Sequence, residues 1–141
     1  MDEAVTRSEP ETEAIGEQLG RLLRQDDVVY LVGDLGSGKT CFARGLARGL
    51  GALPREVASP TFSLLNEYVS AGGAVVLRHL DLYRLKDDAA ELLSIGLPDA
   101  VAGAPVAVEW PRGAIRDLLP PTVEILLETA EGGGRRIRTK G

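Results

Sequence analysis

The segment that most constrains this chain is residues 33–40, Gly-Asp-Leu-Gly-Ser-Gly-Lys-Thr, which satisfies G-x-x-x-x-G-K-[ST] at every specified position. Such a loop works in one setting: a buried strand ends at it and a helix begins within it. Both flanks agree. Val28-Val29-Tyr30-Leu31-Val32 is short, β-branched and almost wholly apolar, as a strand covered on both faces should be. From about Lys39 to Leu50, Phe42, Leu46 and Leu50 share one helical face, with Gly51 placed to end the helix. Gly45 and Gly49 weaken that helix, so packing must hold it.

The residue types dictate the chemistry. Glycines let the backbone approach phosphates without Cβ clashes. The amides of Asp34, Leu35, Gly36, Ser37, Gly38, Lys39, Thr40 and Cys41 can then line an anion-binding nest at a helix N-terminus. Lys39 supplies a charge at the β- and γ-phosphates, and Thr40 offers a hydroxyl to Mg²⁺.

The remaining segments predict an α/β chain of one domain, residues 1–141. Ser8-Glu9-Pro10-Glu11 fits a capping box opening a helix to about Gln25, with Ile15, Leu19, Leu22 and Leu23 on its apolar face. Thr61–Val69 and Ala74–Leu80 read as strands. The turn Ala71-Gly72-Gly73 is too short for a crossover helix, so they should pair antiparallel. A short helix follows from Asp87 to Ile95, stopped by Gly96 and Pro98. Pro105–Glu109 and Thr122–Glu128 read as two more strands. Gly132-Gly133-Gly134 turns the chain into Arg135–Lys140, an expected edge strand whose charges oppose aggregation.

Composition narrows the function. The net charge of −5 and pI near 4.9 argue against a chain that grips nucleic acid unaided. One cysteine, Cys41, permits no internal disulfide and suits a reducing compartment. No apolar run approaches a membrane span, and the acidic N-terminus lacks a secretory h-region, so a cytoplasmic protein is expected.

A Mg²⁺-nucleotide site needs carboxylates and a group to orient water. Asp81 and Glu109 each follow an apolar run, where ligands of α/β sheets gather. Position alone leaves each equally readable as a solvated acid. Arg78 and His79 interrupt the run before Asp81, and a lone histidine on a strand is ordinarily packed or exposed. Thr61, after Ser59-Pro60, reads as either a switch threonine or a plain turn residue. Trp110 reads as core or rim.

Together with the phosphate loop, Ser59-Pro60-Thr61-Phe62, His79-Leu80-Asp81-Leu82-Tyr83-Arg84-Leu85 and Val108-Glu109-Trp110-Pro111 resemble one family over nearly the whole chain. It is the TsaE (YjeE) family, the small P-loop ATPases of tRNA threonylcarbamoyladenosine (t6A) biosynthesis. The resemblance implies an α/β P-loop NTPase with a mixed, mainly parallel sheet flanked by helices, plus antiparallel hairpins. It implies ATP and Mg²⁺ as cofactors, with Lys39 and Thr40 on phosphates and metal. Asp81 would take the Walker B part, Glu109 would hold Mg²⁺ or orient water, Thr61 would belong to a switch loop, and Trp110 would lie by the site. It implies weak hydrolysis by the chain alone, and as partners the threonylcarbamoyl transferase subunit and its paralogous companion, with tRNA met only through that complex. Members often carry a second threonine where this chain has Cys41, so a phosphate-facing hydroxyl is lost. A thiol near a helix N-terminus is expected to have a lowered pKa and to be sensitive to oxidation.

Two other readings share these motifs. A small-molecule kinase would need an acceptor pocket and lid, for which only residues 82–104, with Arg84 and Lys86, are available. A nucleotide-gated adaptor would bind ATP with negligible turnover. No N-K-x-D segment reads guanine.

Overall fold

A computed structural model describes residues 3–34, 36–62, 65–83, 89–94, 96–97, 99–111 and 113–140; for 54–62, 89 and 91 it describes the backbone only. Its strands are β1 (Glu3–Thr6), β2 (Val28–Val32), β3 (Ala52–Phe62), β4 (Leu65–Ser70), β5 (Val75–Asp81), β6 (Val106–Glu109), β7 (Val123–Thr129) and β8 (Arg135–Lys140). Its α-helices are α1 (Glu9–Gly20), α2 (Lys39–Gly49), α3 (Ala89–Ser94) and α4 (Ile115–Leu118). Among the described residues the strands form one sheet in the order β1-β8-β7-β2-β6-β5-β4-β3. The central four, β7-β2-β6-β5, are parallel, and the outer strands join antiparallel on either side. The sheet is therefore mixed and flanked by helices, as expected.

Strand alternation divides the core into two layers. Val28, Tyr30, Val106, Val108 and Leu80 face one side, where Leu92, Leu97, Ile115 and Leu119 cover them. Val29, Leu31, Ala107, Leu77 and Ile125 face the other, against Phe42, Ala43, Leu46 and Ala47 of α2. Burial on both faces explains why β2 is apolar without alternation.

α1 and α2 pack closely, and the glycines that weaken α2 make this contact. A Cβ built on Gly45 would lie 2.2 Å from the Glu13 carbonyl oxygen, and one on Gly49 2.2 Å from that of Glu17. Gly16 and Gly20 answer from α1, at 2.5 Å from the Phe42 carbonyl oxygen and 2.3 Å from that of Leu46.

Several expectations need correction. The lead-in to α1 holds β1, a four-residue strand hidden in an acidic segment. Ser8 caps α1 by accepting from the Glu11 amide, but the Glu11 carboxylate accepts from Arg7 N at 2.7 Å rather than from Ser8. The helix ends at Gly20, not near Gln25: the chain tightens into a turn that leaves Leu22 75% exposed while Leu23 packs on the core. The strand expected over Thr61–Val69 is two strands, β3 beginning at Ala52 and β4 at Leu65. β3 carries Pro54 and Pro60, which an edge strand tolerates because half its N–H groups need no partner. β8 is not an edge. It pairs with β7 on one side and β1 on the other, so β1 is the edge. The predicted helix Asp87–Ile95 is seen as α3, its outer residues 87, 88 and 95 lying outside the described set. The β4–β5 hairpin and its turn are as expected.

Candidate functional site

β2 delivers the phosphate loop and α2 leaves it. Gly38 is the N-cap of α2 at φ 100°, a left-handed conformation that favours glycine, and no side chain caps the helix. The amides of the first turn of α2 are thus free of any capping side chain, the arrangement that suits an anion. Gly33 is required for a different reason: a Cβ there would sit 2.3 Å from the Leu127 carbonyl oxygen and 2.6 Å from Ser37 Oγ.

Lys39 Nζ donates to the Gly33 carbonyl and, at 3.3 Å, to that of Asp34. It also lies 3.6 Å from the centre of the Trp110 ring. Burial lowers its pKa, against the raising effect of Glu109, Asp81 and Asp34. The ammonium is thus held by dipoles and a ring face that a phosphate could replace. Trp110 is the non-glycine residue with positive φ, 61°, among the described residues, and Tyr83 packs on its ring at 4.9 Å. Strain of this kind concentrates at functional sites.

Strand register brings the acids together. Asp81 stands opposite Glu109 in the β5–β6 ladder, both at carboxyl ends of parallel strands. Asp81 is exposed and accepts from the Tyr83 amide at 3.1 Å. Glu109 is 4% exposed. Its Oε2 accepts from Thr40 Oγ1 at 3.3 Å and lies 2.5 Å from His79 Nε2. Burial raises the Glu109 pKa, but the bond and charge of His79, the Thr40 hydroxyl and Lys39 outweigh it and hold the group below its ordinary value. It is a buried carboxylate kept ionised by its neighbours.

Gly36, Gly38, Lys39, Thr40, Asp81 and Glu109 line one cavity of about 500 Å³, which Cys41 and Trp110 also border. Asp34 and Ser37 border a separate groove behind the loop, where the Ser37 hydroxyl is buried with no hydrogen-bond partner among the described residues. Leu35 lies outside the described residues, as does the Thr61 side chain. The Thr61 backbone is in β3, separated from β2 by β4, β5 and β6. The lowered pKa expected for Cys41 is overturned. Its thiol is buried against α1, donates to the Glu9 carbonyl at 3.2 Å, and is pushed up in pKa by burial.

Sequence reading missed the opposite wall. Thr6, Arg7, Glu9 and Thr12, from β1, its turn into α1 and α1 itself, line the cavity together with Gly134 and Arg135 at the entry to β8. Thr6 and Thr12 share a buried hydroxyl–hydroxyl bond of 2.6 Å, and Arg135 donates to the Gly36 carbonyl at 2.8 Å. This wall exists because β1 pairs with β8, a contact between the two ends of the chain that no local pattern announces. His79 was missed too, since its partner lies 30 residues away.

The family model for threonylcarbamoyl adenosine biosynthesis protein TsaE matches residues 6–137. The tRNA threonylcarbamoyladenosine biosynthesis protein TsaE of Treponema pallidum is 42% identical over 134 residues, spanning 94% of this chain and 96% of that one. The protein of the same name from Bacillus subtilis is 38% identical over 128 residues, spanning 90% of this chain and 77% of that one. The crystal structure of Bacillus subtilis YdiB resembles this fold with a TM-score of 0.70 and 31% identity, spanning 97% of this chain and 83% of that one.

Proposed function

The chain belongs to the TsaE family of tRNA threonylcarbamoyladenosine biosynthesis, and from that premise we propose that it is a Mg²⁺-dependent ATP hydrolase serving the modification. One observation carries the reading: Lys39, Thr40, Asp81 and Glu109, drawn from α2, β5 and β6, line a single cavity at a helix N-terminus that no side chain caps.

The residues fit the nucleotide and its metal. Mg²⁺ takes one or two carboxylates and completes its shell from phosphate and water. That matches a site with two acids and a threonine hydroxyl. When bound, Mg²⁺ would neutralise charge developing on the phosphates. Thr40 and Glu109 would hold it, with Asp81 beside them. Lys39 would exchange its carbonyl contacts for phosphate oxygens. Glu109 is buried and ionised, so it can accept a hydrogen bond from water and orient it.

Hydrolysis is weak in the chain alone and is drawn on by a threonylcarbamoyl transferase subunit and its companion, which act on the tRNA. The acidic net charge of −5 suits a subunit that does not grip tRNA itself. No helix among the described residues is long and apolar enough to cross a membrane, and a tRNA-directed role implies a cytoplasmic location.

The test is phosphate release from ATP by the purified chain, alone and with the transferase complex and tRNA. Slow release that rises with the complex is the expected result. Binding without any response to the complex would overturn the reading, and transfer to an added metabolite would make the chain a kinase.

A further inference from the structure

We propose that His79 is a positioning residue for Glu109, anchoring its carboxylate in the one orientation from which it can serve the metal and water; this rests on the nucleotide-site reading above. His79 precedes Asp81 by one pleat in β5, so both face the α2 side of the sheet. The register sets His79 opposite Ala107 and Asp81 opposite Glu109. Ala107 is small, and the imidazole passes over it to reach the next inward-facing residue of β6. Its Nε2 lies 2.5 Å from Glu109 Oε2, with both side chains 5% exposed. An ionised carboxylate only accepts, so Nε2 is the donor.

Among the described residues the ring has no other polar attachment. Nδ1 is buried and has no hydrogen-bond partner among the described residues. The Tyr68 ring stacks on it at 6.3 Å and 21°, fixing its plane. A histidine placed merely to fill the core would be replaceable by an apolar side chain at less cost than leaving a ring nitrogen unmet. Here the one hydrogen bond it makes goes to the acid of the site.

The anchor leaves a working oxygen. His79 and Thr40 both use Oε2, and Oε1 makes no hydrogen bond to a described residue. A glutamate has three side-chain torsions, and two bonds converging on one oxygen remove most of that freedom before any ligand arrives. The sequence motif hides the role: His79 stands two residues from Asp81, yet acts on the acid of the neighbouring strand.

His79 is the chain's one histidine, so ring-¹⁵N labelling gives a single imidazole signal set in the intact protein. The expected spectrum has its proton on Nε2, protected from exchange, and that signal shifts or vanishes in Glu109→Ala. A proton on Nδ1 with none on Nε2, or a spectrum unchanged by Glu109→Ala, overturns the contact. In parallel, His79→Leu should lower ATP hydrolysis about 10–100-fold, as loss of an outer-shell partner does. Its affinity for nucleotide without Mg²⁺ should stay within about twofold of wild type. His79→Gln, whose amide can donate from nearly the same place, should recover most of the rate. Equal loss in folded His79→Leu and His79→Gln, or wild-type rates in both, overturns the positioning role. If wild type itself binds no ATP while the histidine signal behaves as expected, the nucleotide reading fails instead, and His79 has no metal-serving acid to position.

Discussion

At Lys39 the chain holds a positive charge that is 5% exposed, satisfied by two loop carbonyls and the face of Trp110. Charge-assisted bonds to phosphate are stronger than those neutral contacts. Lys39→Ala should therefore weaken ATP binding about 100-fold, the scale of one lost charged hydrogen bond in a desolvated site. Titration calorimetry checks it, and wild-type affinity would remove Lys39 from the phosphate site. Glu109 should behave differently. Its carboxylate acts on metal and water, so Glu109→Ala should cut hydrolysis about 100-fold while affinity falls only a few-fold; equal losses would give Glu109 a structural role. How much of this site the sequence discloses depends on how local each residue's reason is. Lys39 and Thr40 are legible because a phosphate loop is eight contiguous residues. Asp81 and Glu109 are half-legible, as acids at the ends of apolar runs. His79 is illegible, because its meaning lies in the β5–β6 register. Cys41 misleads: it is near a helix N-terminus, but its side chain is buried against α1, and burial outweighs the lowering effect of Arg44.

Among the elements, α1 and α2 decide how firmly the phosphate loop is held. Their glycines bring the backbones together, and Arg48 pairs with Glu13 across the same contact at 2.8 Å. In an isolated helix Gly→Ala would add about 1 kcal/mol of stability. At Gly45 the new methyl would meet the Glu13 carbonyl oxygen at 2.2 Å and Gly16 Cα at 3.0 Å, both backbone, so nothing yields unless the helices part. Overpacking of this kind costs about 1–3 kcal/mol, and at such a distance it should exceed the propensity gain. Gly45→Ala should lower the urea midpoint, with net destabilisation of about 1–2 kcal/mol. Gly72, in the β4–β5 turn, has only Ser70 Oγ at 3.9 Å and no positive φ, so the same change there should stay within about 0.5 kcal/mol. A stabilised Gly45→Ala would show that the helices are not in contact through backbone. The sequence reveals that α2 needs packing, since two glycines in one helix have to be compensated, but not that α1 supplies it through glycines of its own. The same boundary separates the strands. β2, β6 and β7 are legible from composition. β1 is a four-residue piece of a charged segment, β3 carries prolines that argue against a strand, and whether β8 is an edge depends on a partner from the other end of the chain.

The whole molecule divides its labour between the two faces of the sheet. His79, Asp81 and Glu109 face α2, while the other face is a core centred on Tyr30, against which Trp110 packs. Tyr30 is fully buried in β2, and its hydroxyl donates to the Leu119 carbonyl at 2.6 Å and the Ile115 carbonyl at 3.3 Å. It thereby closes the end of α4 and ties that helix to the strand that delivers the phosphate loop. Burial, eased by Arg116 and reinforced by Glu124 and Asp117, pushes its pKa from 10.0 up to about 12. Folding therefore favours the protonated phenol. Below pH 10 both folded and unfolded chains keep the proton, and this contribution is intact. Above it the unfolded chain ionises first, so stability falls as pH rises toward 12, by on the order of 2–3 kcal/mol in all. Tyr30→Phe cannot ionise, but it leaves the Leu119 carbonyl short of a donor, while the Ile115 carbonyl keeps its bond from the Leu119 amide, and it should be about 1–2 kcal/mol less stable at neutral pH. Urea midpoints at pH 8, 10 and 11.5 should then show the wild-type advantage shrinking with pH and closing at about pH 11, while the variant's curve is flatter. Parallel curves would assign the alkaline loss to other groups, Tyr68 first, since burial raises its pKa too and both proteins carry it.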